Sequence, residues 1–412
     1  MKHAIAIILL PAILLSCGQG NSKKEKTTDT MTKETTGTYK SDKDFLQAHV
    51  EIIELARGSS ALLLAPGWQG RVMTSTAEGD QGSSFGWINK GLIGSAVKQA
   101  HINAFGGEER LWLGPEGGQY SIFFRKGDPF VYDKWQTPSF IDTDPYVIAS
   151  RTDTSVTFVH ECSIENYSGT RFDLGIERKV TLLSENEINR LLGSKPGETK
   201  SVAYRSENTL SNNGKLQWEK KSGLLSIWML GMFTPSPSVV VIIPVKKGDE
   251  SSLGVIVNDN YFGKIAGDRL KVQGEHILFR ADGKSRGKIG IPPLRTNGVM
   301  GSYDFGNNVL TLLFCELPEG ITDYVNSAWE IQDKPYSGDA FNSYNDGPLE
   351  DGSQMGPFYE LETSSPGAAL KPGEIIKHVQ TTIHVKGNND VMDMISRKIL
   401  GISLEEVKKQ MF

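Results

Sequence analysis

The feature that most constrains the fold is an alternation of apolar and polar side chains over residues 170–184. Phe172 and Leu174 fall on one face of this segment, and Arg171 and Asp173 fall on the other. A period of two is the pattern of a strand that buries one face. The same alternation, or a run of β-branched residues, recurs over residues 155–164, 238–245, 309–316 and 375–385. Because Asn-Gly and Asp-Gly turn signals stand between such segments, the sequence predicts an all-β fold, a large antiparallel β-sandwich.

Helical patterns are confined to the two ends of the chain. Residues 42–49 suggest a short opening helix. Near the C terminus, Asp390 is a candidate cap for one helix, and Ser403 with Glu406 forms the S-x-x-E capping box of another. We therefore expect C-terminal helices within residues 388–412.

The first residues have the pattern of a bacterial export signal. Lys2 precedes an apolar run over residues 4–15, which is too short to cross a bilayer. The run ends in Leu-Leu-Ser-Cys-Gly, which resembles a lipobox with Cys17 as the first residue of the mature protein. Residues 1–16 are therefore expected to be a signal peptide. A plain cleaved signal with an incidental cysteine is the alternative.

Lipid on Cys17 would hold the protein at a membrane, since two or more acyl chains bind stably. Gly18 rather than Asp follows the cysteine, which favours the outer membrane of the bacterial cell envelope, on its periplasmic or its outer side. Residues 17–41 consist mostly of Thr, Lys, Glu and Gly and predict a flexible tether after the lipidated residue. With no linker after it, one β-sandwich domain is expected over residues 42–412.

Charge and motif content exclude several classes of function. The chain has 44 basic and 49 acidic residues, a net charge of −5, so nucleic acid is not an expected partner. It lacks a G-x-S-x-G elbow, a Walker loop, an H-E-x-x-H motif and paired C-x-x-C motifs. Hydrolase-triad, nucleotide and zinc sites are therefore unsupported, and no cofactor is predicted. Cys162 and Cys315 form either two buried thiols or one disulfide.

A glycine-rich segment over residues 101–118 is the main candidate for a binding site. A tryptophan ring covers the C–H groups of a sugar, while charged and amide groups bind its hydroxyls. The candidate ligand-binding residues here are Asn103, Glu108, Arg110, Trp112 and Glu116, and two preceding segments add Arg71, Trp87 and Asn89. The alternative is a bulged loop that carries surface charges.

Acidic residues near the C terminus form the second candidate. Strand alternation places Glu360 and Glu362 on one face, with Leu361 opposite. If that face lines a pocket, burial or the neighbouring carboxylate raises one pKa and creates a general base. The alternative is a solvated face with two charges.

The loop before this strand offers further polar side chains. Asn345 and Asp346 are candidate ligand-binding residues, and Asp346 with Glu350 and Asp351 could bind Ca²⁺. Their spacing differs from that of an EF-hand, and an acidic surface turn explains it better.

The histidines indicate a functional site less strongly than these acidic and glycine-rich segments do. His378 and His384 share one face of a strand, where we expect solvated or rim positions. His160 shares a face with Phe158 and Cys162, as a core histidine would.

Five short segments occur in the same order as landmarks of a known superfamily. They are residues 69–72, 103–107, 208–212, 361–363 and 370–374. Together they resemble the galactose mutarotase-like (aldose 1-epimerase) superfamily. The body of the chain also resembles a family of uncharacterised bacterial lipoproteins that carry GWIN, PEGG, TPSPS, NDGPLEDGS and ELETSSP segments, which here begin at residues 86, 115, 234, 345 and 360.

The superfamily resemblance implies a β-supersandwich with a sugar-binding groove and an acid–base pair. Glu362 matches the glutamate base of an L-E-T-like segment. Phe105 stands where the family's acidic histidine is expected, so His101 and His160 are the candidates for a substitute, with Arg110 as an electrostatic alternative. Ordinary epimerase chemistry therefore lacks its acid.

Three hypotheses follow for a lipid-anchored envelope protein. The protein binds or processes carbohydrate in a groove, without a named reaction. Alternatively, it is a mutarotase- or epimerase-type enzyme with Glu362 as base, or a non-catalytic structural part of the envelope. A sugar or glycan is the expected ligand, and the lipid is the only expected contact with the membrane.

Overall fold

The computed structural model describes residues 37–193 and 199–412. The described residues from 37 onward belong to one compact unit. The expected signal peptide, Cys17 and the tether up to residue 36 lie outside the described residues.

Strands dominate the described chain. The strands are β1 (Ile53–Arg57), β2 (Ser60–Ala65), β3 (Arg71–Thr76), β4 (Arg110–Gly114), β5 (Val147–Arg151), β6 (Ser155–Glu165), β7 (Arg171–Leu182), β8 (Lys200–Asn212), β9 (Ser226–Phe233), β10 (Val239–Pro244), β11 (Leu270–Gln273), β12 (His276–Arg280), β13 (Gly287–Ile291), β14 (Val299–Asp304), β15 (Val309–Cys315), β16 (Phe341–Asn345), β17 (Tyr359–Ser364) and β18 (Ile375–Lys386). The helices are α1 (Tyr39–His49), α2 (Lys90–Ser95), α3 (Glu185–Leu192), α4 (Glu250–Leu253), α5 (Asn389–Ile399) and α6 (Leu404–Met411).

These strands form three antiparallel sheets. One has the order β1-β2-β3, the second has ten strands in the order β11-β12-β10-β14-β15-β18-β8-β7-β6-β5, and the third has five in the order β13-β16-β17-β9-β4. A hydrophobic cluster that includes Val241 and Leu313 of the ten-stranded sheet and Phe341 and Leu361 of the five-stranded sheet joins the two. The all-β sandwich prediction is confirmed.

Helices cover the other face of the ten-stranded sheet. Ile188 of α3, Met392 of α5 and Val407 of α6 pack there against Ile242 and Leu312. The predicted capping box of Ser403 and Glu406 begins α6. The last two helices thus complete the outer side of the sandwich.

Helix boundaries differ from the prediction in three places. α1 begins at Tyr39, inside the expected tether, because Thr38 caps it and the Tyr39 ring is buried. Asn388 rather than Asp390 caps α5. Helices α2 to α4 lie inside the chain, and a capping box between Ser184 and Glu187 that the sequence already displays begins α3.

A set of fully buried polar side chains lies between the two large sheets. We call it the inner network, and it comprises Glu108, Glu109, Arg178, His378, Gln380 and His384. The prediction of rim positions for the two histidines is wrong. Both lie on the face of β18 that turns towards the five-stranded sheet, where His384 Nε2 is 2.9 Å from Glu108 and His378 Nε2 is 2.7 Å from Thr363 Oγ1.

Within the inner network, Glu109 neutralises Arg178. Arg178 Nη2 donates to Glu109 at 2.7 Å, Nη1 donates to Asn208 at 2.8 Å, and Nε donates to the Gly70 carbonyl at 3.2 Å. Gln380 Nε2 donates to the second Glu109 oxygen at 2.7 Å. A buried charge is tolerated when its hydrogen-bonding capacity is filled in this way.

The cysteines of the described ranges are free thiols. Cys315 is buried beside His378, and Cys162 is half-buried on β6. The disulfide alternative is therefore not realised. Burial raises the pKa of each thiol to about 12. In residues 37–193 and 199–412, no helix combines the length and apolar character that a membrane crossing needs.

Candidate functional site

The side chains of the five-stranded sheet that point away from the ten-stranded sheet form a charged and aromatic face. Register places Glu362 of β17 opposite Leu230 of β9, and Leu230 opposite Arg110 of β4. Glu360 lies two residues before Glu362 on the same face, as the alternation predicts, while Leu361 points into the core. We call this group the outer-face site, and its members are Arg110, Trp112, Trp228, Lys288, Glu360 and Glu362.

Two ion pairs with buried carboxylates organise the outer-face site. Arg110 Nη2 donates to Glu360 Oε1 at 2.9 Å. Lys288 Nζ lies 2.9 and 3.1 Å from the two oxygens of Glu362. Trp228 Nε1 also donates to Glu362, at 2.9 Å, so both carboxylates are held in fixed positions.

Aromatic rings lie directly beside these charges. The Arg110 guanidinium is 4.4 Å from the centre of the Trp112 ring, and Lys288 Nζ is 4.7 Å from that of Trp228. The two indoles meet edge to face, with ring centres 5.6 Å apart. Trp112 and Glu362 therefore belong to one face, and cation–π contacts connect its rings to its cations.

A small cleft opens onto this face. Trp228, Lys288, Ser226, Asn342 and Tyr261 contribute to its walls, and its cavity volume is about 30 Å³, room for one or two water molecules. This is smaller than the groove that the superfamily resemblance implies.

The segment that carries Tyr261 narrows the cleft. Tyr261 Oη donates to Asp339 at 2.5 Å and accepts from Asn342 Nδ2 at 3.2 Å. Its ring centre lies 5.6 Å from Lys288 Nζ. These contacts place the Tyr261 side chain beside Lys288 in the wall of the cleft.

Three buried polar atoms of this face have no hydrogen-bond partner among the described residues. They are Arg110 Nε, Trp112 Nε1 and Ser226 Oγ. Unpartnered buried polar atoms are unusual, since each costs free energy unless something else satisfies it. Ser226 lines the cleft, and Trp112 packs on Trp228, which also lines it. These atoms therefore indicate a place for a polar ligand or for water beside the cleft.

Burial perturbs the carboxyl groups near the cleft. Burial raises the pKa of Glu360 to about 8, which the Arg110 guanidinium opposes and the Glu362 charge reinforces. Burial also raises the pKa of Asp339 to about 6, against the hydrogen bonds from Tyr261 and Asn258. Burial thus shifts Glu360 towards its protonated form, in which the carboxylic acid can donate a proton or a hydrogen bond.

Two further predicted binding residues border this face. Glu116 is half-buried near Lys288, and burial raises the pKa of its carboxyl group while Lys288 lowers it. Trp87 packs with Met232 and Phe358 beside the Glu360 end of the face.

Other predicted binding residues have structural partners. Arg71 is buried, donates to the Gly106 carbonyl at 3.1 Å and to Gln69 at 3.2 Å, and burial lowers its pKa to about 9. Asn89 caps α2. Asn103 Nδ2 donates to Asp142 at 2.7 Å. These side chains hold loops and helix ends in place.

The remaining predicted binding residues are also engaged by the protein. Glu108 belongs to the inner network, where it also accepts from Ser75 Oγ at 2.9 Å. Asn345 bonds the backbone of Gly283 and Ser285 at the end of β16, and Asp346 accepts from Tyr344 Oη and the Gly356 amide. None of these residues has a described contact with Glu362.

The two histidine candidates for an acid lie away from Glu362. His101 Nδ1 lies 2.7 Å from the carbonyl oxygen of Trp135, and the His101 ring packs on Tyr132. His160 stacks on Tyr146 at 4.8 Å on β6 of the ten-stranded sheet, and burial lowers its pKa. No hydrogen bond in the described residues joins either histidine to Glu362, so the face contains no histidine acid next to the expected base.

Sequence reasoning missed Lys288, Trp228 and Tyr261. Lys288 lies between apolar and glycine residues of β13, and Trp228 lies in an apolar run that buries both faces of β9. A lysine inside a short strand was the available signal. The part of the chain that the structure describes contains no group of three or more His, Cys, Asp or Glu side chains arranged to hold a metal ion.

Comparisons with known proteins define the family of the chain. Residues 37–411 match the model of a family of unknown function, DUF6786, and the chain belongs to that family. No curated protein matches the chain.

Solved structures include similar proteins at low identity. A galactose mutarotase-like protein from Lactobacillus casei is 11% identical with a TM-score of 0.48, covering 82% of this chain and 99% of that one. A protein from Synechocystis is 13% identical with a TM-score of 0.48, covering 82% and 96%. A galactose mutarotase related enzyme from Lactobacillus acidophilus is 9% identical with a TM-score of 0.45, covering 81% and 97%.

Proposed function

We propose that the protein binds a carbohydrate at the outer-face site. The observation that carries this proposal is the convergence of Trp112, Trp228, Arg110, Lys288 and two glutamates on one face of a sheet. Indole rings stack on the apolar faces of sugar rings, and charged groups form strong hydrogen bonds with hydroxyls. Such a mixture of aromatic and fixed polar groups is typical of small-molecule sites.

Unpartnered polar atoms support a hydroxyl-rich ligand. Trp112 Nε1 and Arg110 Nε are donors, and Ser226 Oγ both donates and accepts. A sugar presents hydroxyls that match all three, whereas an apolar ligand would leave them unsatisfied. Since the cleft holds only one or two water molecules, ligand entry requires the Tyr261 side chain to move away from Asp339.

A glycan array with the full chain carrying Cys17→Ser tests this proposal. We expect binding to a restricted set of glycans and at least a tenfold loss in Glu362→Gln, because the neutral amide releases Lys288. Glu405→Gln, on the exposed side of α6, serves as the matched control and should bind as the parent does. Absence of binding on the array, or equal binding by Glu362→Gln, would contradict the proposal.

A second candidate function is catalysis on the bound sugar. The specific observation in its favour is the pKa of about 8 at Glu360, two residues from Glu362 on the same face. A carboxylic acid beside a carboxylate can supply the acid and the base of a proton-transfer reaction. In this version Glu360, rather than a histidine, donates the proton and Glu362 accepts one.

Anomer interconversion followed by NMR separates binding from catalysis. An enzyme would accelerate equilibration of freshly dissolved glucose or galactose, and Glu360→Gln would abolish the acceleration while retaining binding. An equilibration rate equal to the uncatalysed rate in protein-free buffer would exclude this reaction for these two sugars, and Glu405→Gln should equilibrate them as fast as the parent does. If neither binding nor turnover occurs, the structural envelope role is the remaining hypothesis.

We also propose that lipid on Cys17 attaches the protein to the bacterial envelope, on the outer membrane. The apolar run before the cysteine and the lipobox-like Leu-Leu-Ser-Cys-Gly support this proposal. Cys17→Ser should move the protein from the membrane fraction to the soluble fraction and abolish labelling by a radioactive fatty acid. Membrane association that survives Cys17→Ser would contradict it.

A further inference from the structure

A second group of aromatic rings extends from the outer-face site towards the surface. Trp135 lies 6.5 Å from Trp112, and the Trp329 and Tyr132 rings stack roughly parallel to Trp135 at 5.9 and 6.1 Å. His101 packs on Tyr132 at 4.7 Å. We call Tyr132, Trp329, Glu116 and His101 the aromatic patch, with Trp135 as its buried support.

Exposure increases along this series of rings. Trp112 and Trp135 are buried, Trp329 is half-buried, and Tyr132 is 56% exposed. A tyrosine side chain has only two rotatable bonds before its ring, so it loses little conformational entropy when a ligand packs on it. Tyr132 is therefore prepared to receive a flat apolar surface from solvent.

Glu116 connects the aromatic patch to the cleft. Its carboxyl group senses both Lys288 and Glu362 electrostatically and is close enough to the Trp329 side chain for a hydrogen bond. Its backbone amide donates to Ser327 Oγ at 3.1 Å, and Ser327 lines the cleft. The patch is thus continuous with the cleft mouth.

Polar groups complete the aromatic patch. Glu116 is half-buried. The half-buried His101 bonds the Trp135 carbonyl through Nδ1, and its Nε2 has no hydrogen bond to any described residue. His101 packs on Tyr132 and Glu116 lies beside Trp329, so the patch offers stacking and hydroxyl recognition together. A purely apolar partner would desolvate both polar groups without compensation.

We propose that the aromatic patch is an outer subsite that binds a second sugar ring of a saccharide whose first ring occupies the outer-face site. The ligand is then an oligosaccharide or polysaccharide rather than a single sugar. This inference rests on the proposed function.

Titration with sugars of increasing length tests the subsite. The probes are glucose, galactose, mannose and N-acetylglucosamine, each as a monosaccharide and as a linear trisaccharide, and binding is measured by calorimetry on the Cys17→Ser chain. We expect a trisaccharide to bind at least tenfold more tightly than its monosaccharide. Tyr132→Ala should remove most of this difference and leave monosaccharide affinity within twofold.

A matched control is available on the other side of the molecule. Phe412 is also 56% exposed and packs on Phe305 at the C terminus, so Phe412→Ala removes an equally exposed ring without touching the patch. Phe412→Ala should keep the preference for the trisaccharide, and Tyr132→Phe should restore it. Trp329→Ala provides a second test, and the exposed Tyr132 substitution remains decisive if that variant does not fold.

The outcomes separate this inference from the proposed function. Equal affinity for monosaccharide and trisaccharide, or a preference that survives Tyr132→Ala, overturns the outer subsite while sugar binding at the outer-face site stands. Binding to none of the eight probes counts against both.

Discussion

The two faces of the five-stranded sheet bury charged groups in different ways. On the inner face, all three guanidinium nitrogens of Arg178 and both oxygens of Glu109 have protein partners. On the outer face, Arg110 is equally buried and paired with Glu360, yet its Nε has no partner among the described residues. Buried charges therefore occur both in the structural inner network and in the candidate outer-face site. The two arginines differ in that Arg178 fills its hydrogen-bonding capacity within the protein, whereas Arg110 keeps one donor without a described partner.

The largest expected effect on stability comes from a substitution that breaks the inner network. Glu109→Ala leaves Arg178 charged, buried and unpaired, which should lower the free energy of unfolding by about 3–5 kcal/mol. Urea denaturation measures this change. Glu405→Ala on the exposed side of α6 should alter stability by only about 0.5 kcal/mol. A loss below about 1 kcal/mol for Glu109→Ala would show that water or another group compensates Arg178.

A smaller effect is expected from the same kind of change on the outer face. Lys288→Met removes the partner of Glu362, but Trp228 Nε1 still donates to it and the cleft admits water. The free energy of unfolding should fall by about 1–3 kcal/mol, less than for Glu109→Ala. Urea denaturation of both variants gives the comparison. If Lys288→Met lost more free energy of unfolding than Glu109→Ala, the expectation that the inner face depends more on its ion pair would be wrong.

The pH dependence of stability sharpens the comparison further. The pKa of Glu360 is raised from 4.5 to about 8, so between these values the folded protein keeps a proton that the unfolded chain has released. Its contribution to stability is complete below about pH 4.5 and is lost as the pH rises towards 8. Glu360→Gln cannot ionise and should show a flatter profile over this range. Identical slopes in thermal unfolding would contradict the assignment.

The contribution of the inner network to stability should instead change at acidic pH. Burial lowers the pKa of His378 from 6.5 to about 4, so its contribution is complete above pH 6.5 and is lost as the pH falls towards 4. His378→Gln should reduce this acid sensitivity and leave the Glu360 region of the profile unchanged. Thermal unfolding of the parent and of His378→Gln between pH 4 and 7 measures this difference in acid sensitivity. An equal loss of stability at acidic pH in both proteins would contradict the prediction.

The smallest effect is expected at His160, one of the two histidines that the sequence suggested as acids. His160 stacks on Tyr146 and has no described contact with the outer-face site. His160→Gln should therefore change sugar affinity or any sugar turnover less than twofold, whereas Glu360→Gln abolishes turnover if the protein is an enzyme. A large loss in His160→Gln would show that the site extends to the ten-stranded sheet.

Local patterns predicted much of the fold because strand alternation and helix capping depend on neighbours in the chain. The alternation over residues 170–184 corresponds to β7, and Ser403 with Glu406 begins α6. The same alternation also placed Arg178 on the apolar face of β7, and a charge at such a position is a readable signal of a buried ion pair. His378 and His384 were misjudged because a period of two identifies a shared face but not which face is covered.

The amino-acid sequence by itself determined six strands, β6, β7, β10, β15, β17 and β18, together with the C-terminal helices and the common face of Glu360 and Glu362. Only the tertiary structure decided what meets that face. Arg110 lies 250 residues from Glu360, and Trp228 and Lys288 lie 134 and 74 residues from Glu362. Pairing between strands so distant depends on how whole sheets pack, and no local pattern encodes it. The partners of the two glutamates, and the difference between the inner and outer faces, follow from that packing.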